Sequence, residues 1–194
     1  MRLQGIIARE VASTDAAVVT VGQLHAGTKH NIIPAEAMLG LSVRSFDEQV
    51  RTKVLAAIER IVKAEAEASG APREPEIVSD EWFPLTVNEP AATERTAAAL
   101  RRALGDERVI DPGLVSGSED VGILATAVGA PLVYWFLGGA DPALFGDALA
   151  TGRMPDDLPS NHSPHFAPLI EPTLETGVVA LVAAAREWLA APGE

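Results

Sequence analysis

The sequence predicts a mixed α/β chain in two parts. The first is most of a βαββαβ sandwich of the α+β type, and the second is an α/β sheet with flanking helices. Three observations carry this. Two β-type segments, near 18–21 and 37–44, flank a polar loop. A long helix of regular apolar period follows them. After Pro84, helical patterns alternate with short apolar runs, the signature of an α/β layer.

The first residues, with Leu3, Ile6 and Ile7 among Arg9 and Glu10, read as the tail of an amphipathic helix. Val18-Val19-Thr20-Val21 is β-branched and predicts a strand. Over 37–44, Leu39, Leu41 and Val43 alternate with Gly40, Ser42 and Arg44, which predicts a half-buried strand. Asp47 then caps a helix whose Val50, Val54, Ala57, Ile58, Ile61 and Val62 share a face, and Gly70 with Pro72 ends it. Residues 76–83 supply a further strand, so the segment to about 84 is a βαββαβ unit lacking its first strand.

Beyond Pro84 the pattern predicts a helix over 91–104, a short strand at Val109-Ile110, a polar turn at 116–120, and a helix ending at Val128. The run Leu132-Val133-Tyr134-Trp135-Phe136-Leu137 suits a strand covered on both faces. A Gly-, Pro- and Asp-rich loop occupies 138–171, a length more often functional than idle. Pro172 opens a last helix with Leu174, Val178, Leu181, Val182, Ala185 and Leu189 on one stripe.

Apolar residues make up 47% of the 194 residues and charged ones 22%, enough apolar material for a packed core. Twenty-seven Asp and Glu against fifteen Lys and Arg give a net charge of −12. Phosphate-backbone binding therefore lacks its electrostatic footing, and nucleic acid is not an expected partner. No run approaches the length of a membrane span and the first residues carry no signal-peptide pattern. No membrane partner is expected, and the expected location is the cytoplasm, with which the absence of Cys agrees.

Four His, at 25, 30, 162 and 165, and no Cys restrict the chemistry. His162 sits beside the rigid Ser163-Pro164 turn, where a neutral imidazole serves either as a zinc or manganese ligand or as a loop histidine bonded to backbone. His165 reads as a surface residue turned outward by an inward-packing Phe166. Ser118-Glu119-Asp120 enters a helix, so these residues either cap it or let Glu119 reach a substrate. In the loop from Gly27 to Pro34, Asn31 offers an amide donor, and Arg44 on the next strand offers a partner for a carboxylate; each also has a purely structural reading. His25 and His30 lie too near the surface turn to serve as ligands. No phosphate loop, nucleophile elbow or Cys-based zinc pattern is present.

Gly27-Thr28, Asn31-Ile32-Ile33-Pro34, Val43-Arg44-Ser45-Phe46-Asp47, Gly117-Ser118-Glu119-Asp120 and His162-Ser163-Pro164 occur in that order. Together they resemble the amidohydrolase branch of the aminoacylase and carboxypeptidase metallopeptidase family, which includes hippurate hydrolase, over essentially the whole chain. The resemblance implies an inserted βαββαβ lid that mediates homodimerisation, here residues 1–84, and the C-terminal half of a catalytic domain, here 85–194. It implies hydrolysis of N-acyl amino acids by water on one or two divalent metals, zinc or manganese, with a carboxylate as general base. His162 matches a metal ligand, Asn31 and Arg44 match substrate-holding lid positions that serve a neighbouring subunit's site, and Glu119 matches a substrate-contacting or supporting position. The family's early metal-binding segment, paired glutamates and lid histidine have no counterpart here. The expectation is therefore a portion of such an enzyme, without its general base and inactive alone, that binds no metal firmly. The alternative is a non-catalytic dimerisation or ligand-binding module of the same descent.

Overall fold

The computed structural model describes residues 2–115, 117–141, 143, 158–159 and 161–189. Much of the loop expected over 138–171 lies outside the described residues. The chain packs as two compact units, Met1–Thr86 with Gly113–Leu124, and Val87–Pro112 with Ala125–Glu194.

In the first unit a 3-10 turn, Arg2–Gln4, leads into α1 (Gly5–Arg9). β1 (Ala17–Ala26) and β2 (Ala37–Ser45) pair antiparallel, with Val19 opposite Val43 and Ala26 opposite Ala37, and an irregularity between Val21 and Gln23. Strand alternation sends Val19, Leu41 and Val43 to the face that α1 and α2 (Glu48–Ala68) cover. The core there is Ile6, Val19, Val54, Ala57 and Ile58, each buried.

α2 forms where its cap and period predict. One Asp47 carboxylate oxygen accepts the amides of Gln49 and Val50 at 2.7 and 3.0 Å. Gly70, at φ +65°, turns the chain out while Ala71 N–H bonds Ala66 and Gly70 N–H bonds Glu67, the two hydrogen bonds of a Schellman stop. Asp47→Ala is expected to remove about 1 kcal/mol of stability, read as a lower urea midpoint at unchanged slope.

In the second unit α3 (Pro90–Leu104) starts on Glu89, whose carboxylate accepts the amides of Ala91 and Ala92, with Pro90 opening the helix. α4 (Val121–Val128) runs from the first unit's last stretch into the second. α5 (Thr173–Leu189) packs on α3. The buried residues are mostly small, Ala92, Thr96 and Ala99 with Leu100 on α3, Ala180 and Ala184 on α5. The Trp188 indole N–H donates to the Thr96 hydroxyl at 3.0 Å, and that hydroxyl donates to the Ala92 carbonyl at 2.8 Å. Arg95 lies 4.2 Å over the Trp188 ring. Glu187 accepts from Arg95 at 2.9 Å and from Arg102 at 2.7 Å.

The hydrogen bond from Arg95, joined by the charge of Arg102, holds the Glu187 carboxyl below its ordinary value. A carboxyl whose folded pKa is depressed adds stability above its unfolded value, about 4.3 for Glu, and loses it as pH falls through the folded value. The second unit's melting temperature is thus expected to fall as pH drops below about 4, and Glu187→Gln to flatten that dependence in a pH series of thermal melts.

Several expectations are corrected. Residues 76–83, 109–110 and 132–137 form no strand, so the described sheet has two strands, both in the first unit. A strand exists only with a hydrogen-bonded neighbour, and at 109, 132 and 134 other partners take the backbone groups. Glu89 N–H donates to the Leu132 carbonyl at 2.8 Å, and the Asn88 side-chain amide both donates to the Tyr134 carbonyl and accepts its N–H, at 2.8 and 2.7 Å. Val109 N–H closes the 3-10 turn Asp106–Arg108 instead. Trp82, within the expected strand 76–83, lies beneath the Arg51 guanidinium on α2. The apolar stripe of α5 is the exposed face, because its alanine face is the one that fits α3.

Candidate substrate and metal-ligand residues

Asn31 lies at the far end of the β1–β2 arm. Gly27, at φ +75°, and Pro34 face one another across the loop, and Ile32 N–H donates to Lys29 at 3.2 Å, which holds Asn31 in a turn, exposed to solvent. His30 is exposed in the same turn, and His25 on β1 stands opposite Met38. Arg44 stands on the outer face of β2 opposite Val18, exposed, near the other end of the ladder. Positions 44 and 37 are seven apart on β2, so Arg44 stands roughly 23 Å along the strand from its first residue, before which the loop holding Asn31 lies. Their chemistry is legible in sequence; their separation follows from the register.

Glu119 is half-buried in the turn before α4, where the Asp120 carbonyl accepts Ile123 N–H at 2.9 Å. His162 belongs to the second unit and is exposed. The Ser163 carbonyl accepts Phe166 N–H at 3.0 Å and the Ser163 hydroxyl accepts His165 N–H at 3.2 Å, so the turn after His162 is tied at both ends. His165 is exposed, as expected. Phe166 is also 47% exposed rather than packed inward, since the tied turn presents it outward.

Among the described residues no three His, Cys, Asp or Glu side chains come together as a metal group. One imidazole cannot hold a catalytic metal, which takes about three protein ligands. The described residues therefore do not by themselves fit the metal site that the resemblance implies. A feature not read from the sequence is a cavity of about 480 Å³ at the start of α2, bordered by Asp15, Phe46, Asp47, Gln49, Lys53 and Leu114. Asp47 was legible there only as a cap, and its carboxylate is committed to the helix amides. No helix among the described residues is long and apolar enough to cross a membrane.

Residues 7–69, which take in the hairpin and all of α2, match the M20 family of peptidase dimerisation domains. The thermostable carboxypeptidase 2 of Saccharolobus solfataricus is 34% identical over 136 residues, 70% of this chain and 33% of that protein. An N-acyl-L-amino acid amidohydrolase of Geobacillus stearothermophilus is 45% identical over 69 residues, 36% of this chain and 19% of that protein. The fold is similar to the crystal structure of a proposed aminohydrolase from methicillin-resistant Staphylococcus aureus, with a TM-score of 0.59 at 19% identity, covering 95% of this chain and 42% of that one. The chain thus spans about a third of the length of the first of these relatives.

Proposed function

We propose, for a chain that belongs to the amidohydrolase and carboxypeptidase family bearing the peptidase dimerisation domain, that it is the dimerising and C-terminal portion of a metal-dependent hydrolase of N-acyl amino acids. The observation that carries this is the family motifs in order along one chain, from Asn31 through Arg44 and Glu119 to His162. Residues 1–84 act as the lid, joining two copies, and 85–194 as half of the catalytic domain.

Each residue has a chemical task in this reading. The Asn31 amide donates to the substrate's acyl oxygen. Arg44 pairs with its free carboxylate, the planar guanidinium matching two oxygens at once. Both serve the site of a neighbouring copy. Glu119 contacts the substrate or steadies a ligand. His162 contributes one imidazole to a divalent metal, zinc or manganese, while the other ligands and the general base come from polypeptide outside this chain. The location is cytoplasmic.

The test is hippurate hydrolysis by the chain alone and after addition of the part of the thermostable carboxypeptidase 2 polypeptide outside the matched region. Activity is expected only in the mixture, and only with zinc or manganese. His162→Ala is expected to reduce it more than about 100-fold, beyond what losing a residue outside the metal's ligands costs. Unchanged hydrolysis in His162→Ala overturns the role of that residue.

A second reading, a non-catalytic dimerisation module, is favoured by the domain match at 7–69 and by the absence of a metal group among the described residues. A dimer on gel filtration that neither binds zinc nor gains hydrolysis in the mixture would support it.

A further inference from the structure

The cavity at the start of α2 lies wholly within the first unit, since Leu114 on its rim belongs to Gly113–Leu124. Its volume, about 480 Å³, is in the range of small-molecule sites, roughly 300–1,000 Å³. The walls are of two kinds. Phe46 and Val50 are half-buried apolar surface, and Leu114, 77% exposed, is apolar surface still in water. The polar part carries charge of both signs, Asp15 and Asp47 against Lys53.

The two signs do not meet. Of the cations on α2, Arg51 pairs with Glu48, Arg60 with Glu10 and Lys63 with Glu59, which leaves Lys53 without a carboxylate among the described residues. Its neighbours three and four positions away on the helix are Gln49, Val50, Ala56 and Ala57, and none is acidic. A helical side chain leans toward the N-terminus of its helix, so the Lys53 stem runs back over Gln49 to the cavity. On the other side Asp15 is held in a turn, its N–H donating to the Ala12 carbonyl at 2.9 Å and its carboxylate accepting the Thr14 hydroxyl at 3.2 Å. Asp47 is taken up by the helix amides, so Asp15 is the carboxylate left to take a cation.

A simple anion drawn to Lys53 would also face two carboxylates, and a simple cation drawn to Asp15 would also face an ammonium. A zwitterion satisfies both signs at once. We propose that this cavity binds a free α-amino acid with an apolar side chain, its carboxylate on Lys53, its ammonium on Asp15 and its side chain against Phe46, Val50 and Leu114. Asn31, Arg44, Glu119 and His162 do not line it, so it is separate from the candidate residues described above. For the chain read as part of an N-acyl amino acid hydrolase, such a molecule is a product of the reaction, and the cavity gives that enzyme a second site for it. Binding itself does not depend on that reading.

The test is calorimetric titration of the full chain with L-leucine, no metal added and hydrolysis not measured. Leucine is expected to saturate with a dissociation constant below about 1 mM. N-acetyl-L-leucine, which lacks the ammonium, and L-leucinamide, which lacks the carboxylate, are expected to bind at least about tenfold more weakly. Lys53→Ala and Asp15→Asn are expected to weaken leucine binding by a similar factor with circular dichroism unchanged. Lys63→Ala, which removes a cation already paired with Glu59, is expected to leave it unchanged. Should Asp15→Asn fail to fold, leucine against N-acetyl-leucine on the wild-type chain decides the ammonium contact. The inference is overturned by no saturation with leucine, by equal affinity for either analogue, or by a folded Lys53→Ala or Asp15→Asn variant that binds as the wild type does. Leucine binding without hydrolysis in the mixture described above supports the site and counts against the hydrolase reading only.

Discussion

Ile6→Ala is expected to lower the stability of the first unit by about 2–5 kcal/mol. Ile6 is fully buried in a cluster with Val19, Val54, Ala57 and Ile58, and the other large side chain buried as completely is Val54. So small a core has little slack. Truncating Ile6 removes the transfer free energy of three carbons and leaves a cavity beneath α1, a helix of five residues that cannot form by itself. A loss of this size is a large share of the total of about 5–15 kcal/mol typical of a domain. Urea unfolding followed by far-UV circular dichroism checks it. A change below about 0.5 kcal/mol, the size of an ordinary surface substitution, would show that α1 does not close this core.

Trp188→Ala comes next in size, at about 3 kcal/mol, the low end for loss of a large aromatic because the ring is 44% exposed. Three interactions go together: the indole hydrogen bond to buried Thr96, the stacking of Arg95 on the ring, and the apolar contact between α3 and α5. Trp188→Phe separates them. It keeps an aromatic face under Arg95 and removes the N–H, so its expected cost is about 1 kcal/mol, that of one hydrogen bond. Denaturant unfolding of both variants decides between packing and hydrogen bonding. Equal losses would mean that the hydrogen bond, not the ring, holds the helices together.

Elements whose signals are local were readable in the chain. α2 was legible because its cap, apolar period and glycine stop all lie within its own sequence, and α3 because its helical pattern over 91–104 is local too, although the Glu89 cap that starts it was seen only in the structure. Non-local demands were not legible in the same way. The β-type runs at 76–83 and 132–137 have the composition of strands, yet a ladder needs a neighbour, and the neighbour is not specified by the run itself. The β1 strand extends five residues beyond the expected Val21, to Ala26, because β2 pairs with it that far. α5 shows the limit most plainly. Its sequence offers two faces, one of large aliphatics and one of alanines, and a hydrophobicity reading chooses the first. Close approach to the alanines of α3, with Trp188 and Glu187 anchored by Thr96, Arg95 and Arg102, chooses the second.

For the candidate site the division is similar. By itself the sequence determined the family resemblance, the ordered motifs, and which side chains have useful chemistry, because those are properties of residue type and spacing. Only the tertiary structure decided that Asn31 and Arg44 lie at opposite ends of one strand pair, that the described part of this chain gathers no metal group around His162, and that the aliphatic face of α5 is left outward. The physical reason is that site assembly and burial depend on contacts between residues distant in the chain, each satisfied by a partner that local sequence does not name.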